Sequence, residues 1–193
     1  MAKHPLLFTS DMVKAVLDDR KTQTRRVPIE RYRNWKVGDM IWVREAWWDK
    51  GSWETDKEYK RHWVRWPSKE ERIDFYYDAD GHPENIRGSY TSFGSCVYLR
   101  KHPSIHMFRK DARIFLEITG LRDERVQDID AVEAEAEGIR RPKRLCPDRH
   151  DEYILERFQK LWDSINASRG YGWDENPWVR VIEFKNITEA LKS

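Results

Sequence analysis

The run Ala112-Arg113-Ile114-Phe115-Leu116-Glu117-Ile118-Thr119 sets Ile114, Leu116 and Ile118 at every second position. A period of two makes one apolar face of a strand and fits no helix. Trp178-Val179-Arg180-Val181-Ile182-Glu183-Phe184 reads as a second strand. Met40-Ile41-Trp42-Val43-Arg44 reads as a third, opened by the turn signal Lys36-Val37-Gly38-Asp39. Leu6-Leu7-Phe8, Ile73 to Tyr77 and Val97-Tyr98-Leu99 are shorter candidates. The connections between them are irregular and lack the spacing of a βαβ repeat. The pattern therefore favours an α+β chain with a small curved sheet or barrel over a doubly wound parallel sheet.

Three helices accompany the strands. Met12, Val13, Val16 and Leu17 recur at helical spacing after Thr9 and Ser10, which suit a cap, so a helix is expected from near Asp11 to near Arg20. Asp128 to Gly138 is a short helix in which Asp130 and Glu133 form a capping box and Gly138 supplies the stop. Ile129, Val132 and Ala136 are its expected inward residues. Asp151 to Ile165 is longer, with Ile154, Leu155, Phe158, Leu161, Trp162 and Ile165 on a 3.6 period. Between about 49 and 95 the chain mixes charges, aromatics and scattered glycines and reads as an irregular, lid-like insertion. Residues 1–193 are expected to form a single domain around it.

Charge is dense but balanced: 36 Lys and Arg face 34 Asp and Glu, a formal net charge of +2. That total does not announce a nucleic-acid binder. Its distribution is uneven, with seven cations and one acid between Arg20 and Lys36, and seven acids with two arginines between Gly120 and Glu137. A local basic patch in a near-neutral chain suits a small anion or nucleotide as well as a long phosphate track. Most of the ten tryptophans are expected to pack, because each covers a large apolar area. The two cysteines, Cys96 and Cys146, have no metal-ligand spacing and read as reduced thiols, with a single disulfide between them the alternative. The chain begins with no secretory apolar run and contains no stretch of the roughly 20 apolar residues that span a bilayer. A soluble, cytoplasmic protein without a membrane partner is the expectation; the sequence says nothing of oligomeric state.

The chemistry-bearing stretch is Asp19-Arg20-Lys21-Thr22-Gln23-Thr24-Arg25-Arg26, with four cations, two hydroxyls and an amide among its eight residues. A solvated loop has this composition too. If the run is extended, Thr22, Thr24 and Arg26 share one face and Lys21, Gln23 and Arg25 the other. Other site types are missing: there is no Gly-rich phosphate loop, nucleophile elbow, Cys-x-x-Cys or His-Glu-x-x-His. His102 and His106 are four apart, but Pro103 between them argues against the continuous helix a metal pair needs. Neither a metal nor a cofactor is expected. What remains is Lys, Thr and Glu. A lysine becomes a general base when burial or nearby cations lower its pKa, and a threonine whose proton it takes becomes a nucleophile. Glu137 sits in the last helical turn, where a carboxylate opposes the helix dipole. That placement fits a surface glutamate, or one aimed at the basic stretch. Glu45, at the end of a strand, is either a solvated rim acid or a binding residue.

The runs Asp18 to Arg26, Val37-Gly38-Asp39 and Trp42-Val43-Arg44-Glu45 resemble the ASCH domain family of the PUA-like superfold. Ala136-Glu137-Gly138-Ile139, Leu161 to Asn166 and Asn176-Pro177-Trp178-Val179 resemble its larger, phage-associated members. The resemblance implies a small PUA-like β-barrel with flanking helices and a ligand cleft over the barrel mouth. Some family members are metal-independent amidohydrolases that deacylate N4-acetylcytidine with a Lys, a Thr and a Glu. Those motif positions match Lys21, Thr24 and Glu137 here, with Glu135 a competitor for the last. In that reading Lys21 is the base and Thr24 the nucleophile, while Glu137 orients Lys21 and helps protonate the leaving amine. In a variant, Lys21 or Glu137 activates water and Thr24 binds the oxyanion. Arg26 and Glu45 are candidates for holding base or ribose. Other members bind RNA or resemble ribonucleases, so an RNA-binding module without catalysis and a metal-independent ribonuclease are the alternatives.

Overall fold

The computed structural model describes residues 1–55, 57–65, 76–81, 98–142 and 149–191. Cys96, Cys146, Val97 and residues 73–75 of the expected 73–77 strand lie outside them. Among the described residues the order is β1 (Lys3–Leu7), α1 (Ser10–Leu17), β2 (Gln23–Arg26), β3 (Met40–Arg44), β4 (Trp47–Thr55) and β5 (Arg61–Arg65). It continues with β6 (Tyr76–Tyr77), β7 (Tyr98–His102), β8 (Phe115–Arg125), α2 (Ala131–Ala136), α3 (His150–Asn166) and β9 (Trp178–Asn186). The mixed α+β class expected from the periodicities is what forms. The chain divides into two compact units, one of Met1–Leu6, Lys14–Val43 and Arg113–Ser193, the other of Leu7–Val13 and Arg44–Ala112.

The first unit is built on a five-stranded sheet in the order β1-β3-β8-β9-β2. β8 and β9 form its spine, antiparallel from Leu116↔Asn186 to Arg125↔Trp178. The sheet is open, which corrects the expected closed barrel. Closure requires the two edge strands to pair, and β2 offers only four residues for the task. Thr22 O accepts from Phe184 N at 2.8 Å and Thr24 faces Ile182, so the even positions bond β9 and the odd ones turn outward. The outward Gln23 C=O and Arg25 N–H meet the side chains of Lys21 and Glu137 in place of another strand. β8 also runs six residues past the expected end at Thr119, to Arg125. Its second half reads as a loop because it is charged, yet pairs such as Asp123 with Arg180 satisfy those charges along the ladder.

α2 and α3 cover this region with a core of Val27, Val126, Ile129, Ala134, Ile154, Phe158, Trp162, Val179 and Val181. Each large side chain so buried contributes about 1.5–3 kcal/mol. Ile129 faces inward as expected, but Val132 is 70% exposed, contrary to expectation. The helix is only six residues long and buries Ala131 and Ala134, three apart, which turns Val132 to solvent. α1 ends at Leu17 and not near Arg20, because the chain reverses through Asp19 at φ 54°.

In the second unit β4 pairs with β5, β6 and β7. β4 and β5 fall where the sequence reads as irregular, since Gly51, Ser52 and charged residues mask their alternation. Asp49 is fully buried beneath His102, whose Nε2 lies 2.9 Å from Asp49 Oδ1 and whose ring stacks on Trp47 at 4.1 Å. Asp78 accepts from Ser10 Oγ at 2.6 Å and pairs with Lys101 at 2.6 Å. No helix among the described residues is long and apolar enough to cross a membrane.

Candidate functional site

The basic stretch is organised by the end of α2. A helix leaves its last carbonyls without internal donors. Here four consecutive residues supply donors from outside, three of them to carbonyls of residues 136–138 and one to the Glu133 carbonyl that Glu137 N also bonds. Arg20 Nη1 bonds Gly138 O at 3.0 Å, Lys21 Nζ bonds Glu137 O at 2.7 Å, Thr22 N bonds Ala136 O at 2.9 Å and Gln23 Nε2 bonds Glu133 O at 3.1 Å. Gly138 makes this close approach possible. Its φ is +99°, and a Cβ there would lie 2.9 Å from Ala15 Cβ and 3.4 Å from Lys21 Cβ. Only glycine tolerates both demands.

Lys21 ends up buried, with no exposed side-chain surface. Its Nζ donates to Gln23 O at 2.9 Å and to both the backbone O and Oε2 of Glu137, each at 2.7 Å. The other Glu137 oxygen, Oε1, accepts from Arg25 N at 2.6 Å. One carboxylate thus closes the free edge of β2 and grips the ammonium. Burial pulls the Lys21 pKa below its ordinary 10.5; Glu137 opposes that pull, while the Arg25 and Arg26 charges reinforce it. This is the arrangement in which a lysine loses its proton more readily than in water.

Arg25 keeps Glu137 in place. Its Nη2 reaches Glu133 Oε2 at 2.7 Å, its Nε reaches Glu124 Oε1 at 3.0 Å, and its guanidinium lies 5.9 Å from the centre of the Phe158 ring. Arg122 bridges Glu124, Glu133 and Glu183 behind it. Sequence reasoning gave Glu124 and Glu133 no role at the site, and Arg25 only that of a nearby cation able to lower the Lys21 pKa. The usable signals were the shared face of Gln23 and Arg25 and the cluster of acids between Gly120 and Glu137.

Lys21 and Glu137 are therefore brought together, and Glu135 is not their partner: it pairs with Arg141. Thr24 is buried at 2% exposure on β2, one residue past the carbonyl that holds Lys21. Among the described residues no hydrogen bond joins its hydroxyl to Lys21 or Glu137. It shares the face of Arg26, opposite Gln23 and Arg25. Arg26 is half-buried at the end of β2, and desolvation lowers its pKa below the ordinary guanidinium value. Glu45 belongs to the second unit, where it is buried at 1% exposure and is not a solvated rim acid. Among the described residues no group of three or more His, Cys, Asp or Glu is arranged to hold a metal ion. Comparison of the chain with protein-family models, curated proteins and solved structures returns no match.

Proposed function

We propose that this chain is an amidohydrolase of ASCH type that removes the acyl group from N4-acylated cytidine or a similarly modified nucleoside. One observation carries the reading: Lys21 is fully buried, bonded to Glu137 at 2.7 Å, and has its pKa drawn down by that burial. A buried lysine–carboxylate pair is a costly structural device, because desolvation of both ions offsets much of their attraction. General-base work gives it a use.

Of the two chemical versions, the bonding supports the one in which water is the nucleophile. Neutral Lys21 takes a proton from water as its oxygen bonds to the acyl carbon. The tetrahedral oxyanion accepts a hydrogen bond from the Thr24 hydroxyl, which is not already committed to Lys21. The C–N bond then breaks as the proton passes from Lys21, through Glu137, to the departing N4 amine. A carboxylic acid and cytidine leave. Since Lys21 has no exposed side-chain surface, substrate reaches it only after the cover over the ammonium parts.

The reading is tested by following N4-acetylcytidine hydrolysis in the ultraviolet with wild type and Thr24→Val. Turnover by wild type, reduced on the order of a hundredfold or more in Thr24→Val, is the expected result. No turnover by wild type would overturn it.

A further inference from the structure

We propose that the groove at the end of α2 binds the phosphate of a cytidine nucleotide, which makes a phosphorylated acylcytidine, not the free nucleoside, the preferred substrate. The phosphate site stands on the geometry alone; the identity of the substrate rests on the deacylation reading above. The groove is open, with a volume of about 660 Å³, and is lined by Arg20, Arg140 and Arg141 with Asp18, Glu135 and the exposed Thr22. That volume suits a nucleotide. Three cations stand against two carboxylates among the lining residues, with Asp151 a further 3.9 Å from Arg141.

The carboxylates do not close the site to an anion. Arg140 meets Asp18 at 3.1 Å with its side chain 72% exposed, and Arg141, 47% exposed, pairs with Glu135. Solvent-facing pairs of this kind have little net strength, so a phosphate dianion competes for them on favourable terms. Guanidinium forks match phosphate oxygens two at a time. The end of a helix ordinarily repels anions through its unsatisfied carbonyls. Here Ala136, Glu137 and Gly138 each have their carbonyl bonded by Thr22, Lys21 and Arg20. The repulsion is largely removed.

The position of the groove ties it to the buried pair. Its wall residue Thr22 directly follows Lys21, and its wall residue Ala136 directly precedes Glu137. The same two backbone segments thus present the ion pair inward and the phosphate wall outward. A phosphate held there rests against residues adjacent in sequence to both members of the candidate pair.

The test is calorimetric titration of the full chain with cytidine 5′-monophosphate, cytidine and inorganic phosphate, for wild type and the double variant Arg140→Ala/Arg141→Ala. Wild type should bind the monophosphate at least about tenfold tighter than cytidine. Inorganic phosphate should compete, and the double variant should lose the preference. Equal binding of monophosphate and cytidine, or a preference that survives in the double variant, would overturn the site. Inorganic phosphate binding as tightly as the monophosphate would overturn its assignment to a nucleotide. A parallel assay with N4-acetylcytidine and its 5′-monophosphate separates the two readings. A monophosphate preference in binding, with neither compound hydrolysed, would uphold the phosphate site and sink deacylation.

Discussion

On the inner side of the segments 20–23 and 135–138, an ammonium and a carboxylate meet with 0% and 5% of their side chains exposed. On the outer side of the same segments, Arg140 meets Asp18 with 72% and 47% exposed. Each is a cation paired with a carboxylate, and the distances, 2.7 and 3.1 Å, are similar. Their consequences differ because water differs. Inside, desolvation is the largest influence on Lys21 and overrides the attraction of Glu137. Outside, the hydrogen bond from Arg20 is the largest influence on Asp18, and its carboxyl falls below 3.8. Burial makes the inner lysine easier to deprotonate, and exposure leaves the outer pair with little net strength.

The strongest way to break this contrast is to remove the inner cation. Lys21→Met should abolish deacylation, a fall on the order of 10²–10⁴-fold. It should also destabilise the fold by about 3–5 kcal/mol, since Glu137 is left charged and buried. Both follow from turnover assays and urea unfolding. Glu137→Gln is a finer probe. The amide oxygen still accepts from Arg25 N, but Lys21 loses the carboxylate whose charge and hydrogen bond raise its pKa, so the rising limb of the rate profile should move to lower pH. A limb that moves upward would contradict the assignment.

Next comes a pair of intermediate exposure. His4 Nε2 meets Asp39 Oδ2 at 3.0 Å, and Asp39 also accepts from Ala2 N and Lys36 N, which together hold its pKa below 3.8. A carboxyl depressed on folding contributes stability that is complete above 3.8 and is lost as pH falls through the folded value. Asp39→Asn should cost about 1–3 kcal/mol at pH 7, and it should flatten the loss of stability below about pH 4, read from melting curves in acid. The smallest effect belongs to the outer pair. Arg140→Ala should change unfolding stability by about 0.5 kcal/mol or less.

The residues differed sharply in how legible they were beforehand. Lys21, Thr24 and Glu137 were singled out by the resemblance to ASCH motifs, since a Lys-x-x-Thr spacing alone is common. The Asp130–Glu133 capping box and the Gly138 stop were readable because caps are local: Glu133 N does bond Asp130 Oδ1, at 2.8 Å. Arg25 and Glu124 were not readable as partners, since 99 residues separate them and only the packing of β2 beside β9 and β8 brings them together. The open sheet escaped for the same reason. Whether β2 pairs with a strand or with a helix end depends on where α2 stops, and a four-residue strand carries no such information. The charged half of β8 hid because polarity reads as loop until its cross-strand partners are known.

The most direct measurement is the pH dependence of N4-acetylcytidine hydrolysis in EDTA, compared between wild type and Lys21→Met. The expected result is wild-type turnover that rises with pH through a midpoint below 10.5, the value Lys21 leaves behind on burial, and none in the variant. Turnover that survives in Lys21→Met with an unchanged profile would show that the buried lysine is a structural cap and not the base.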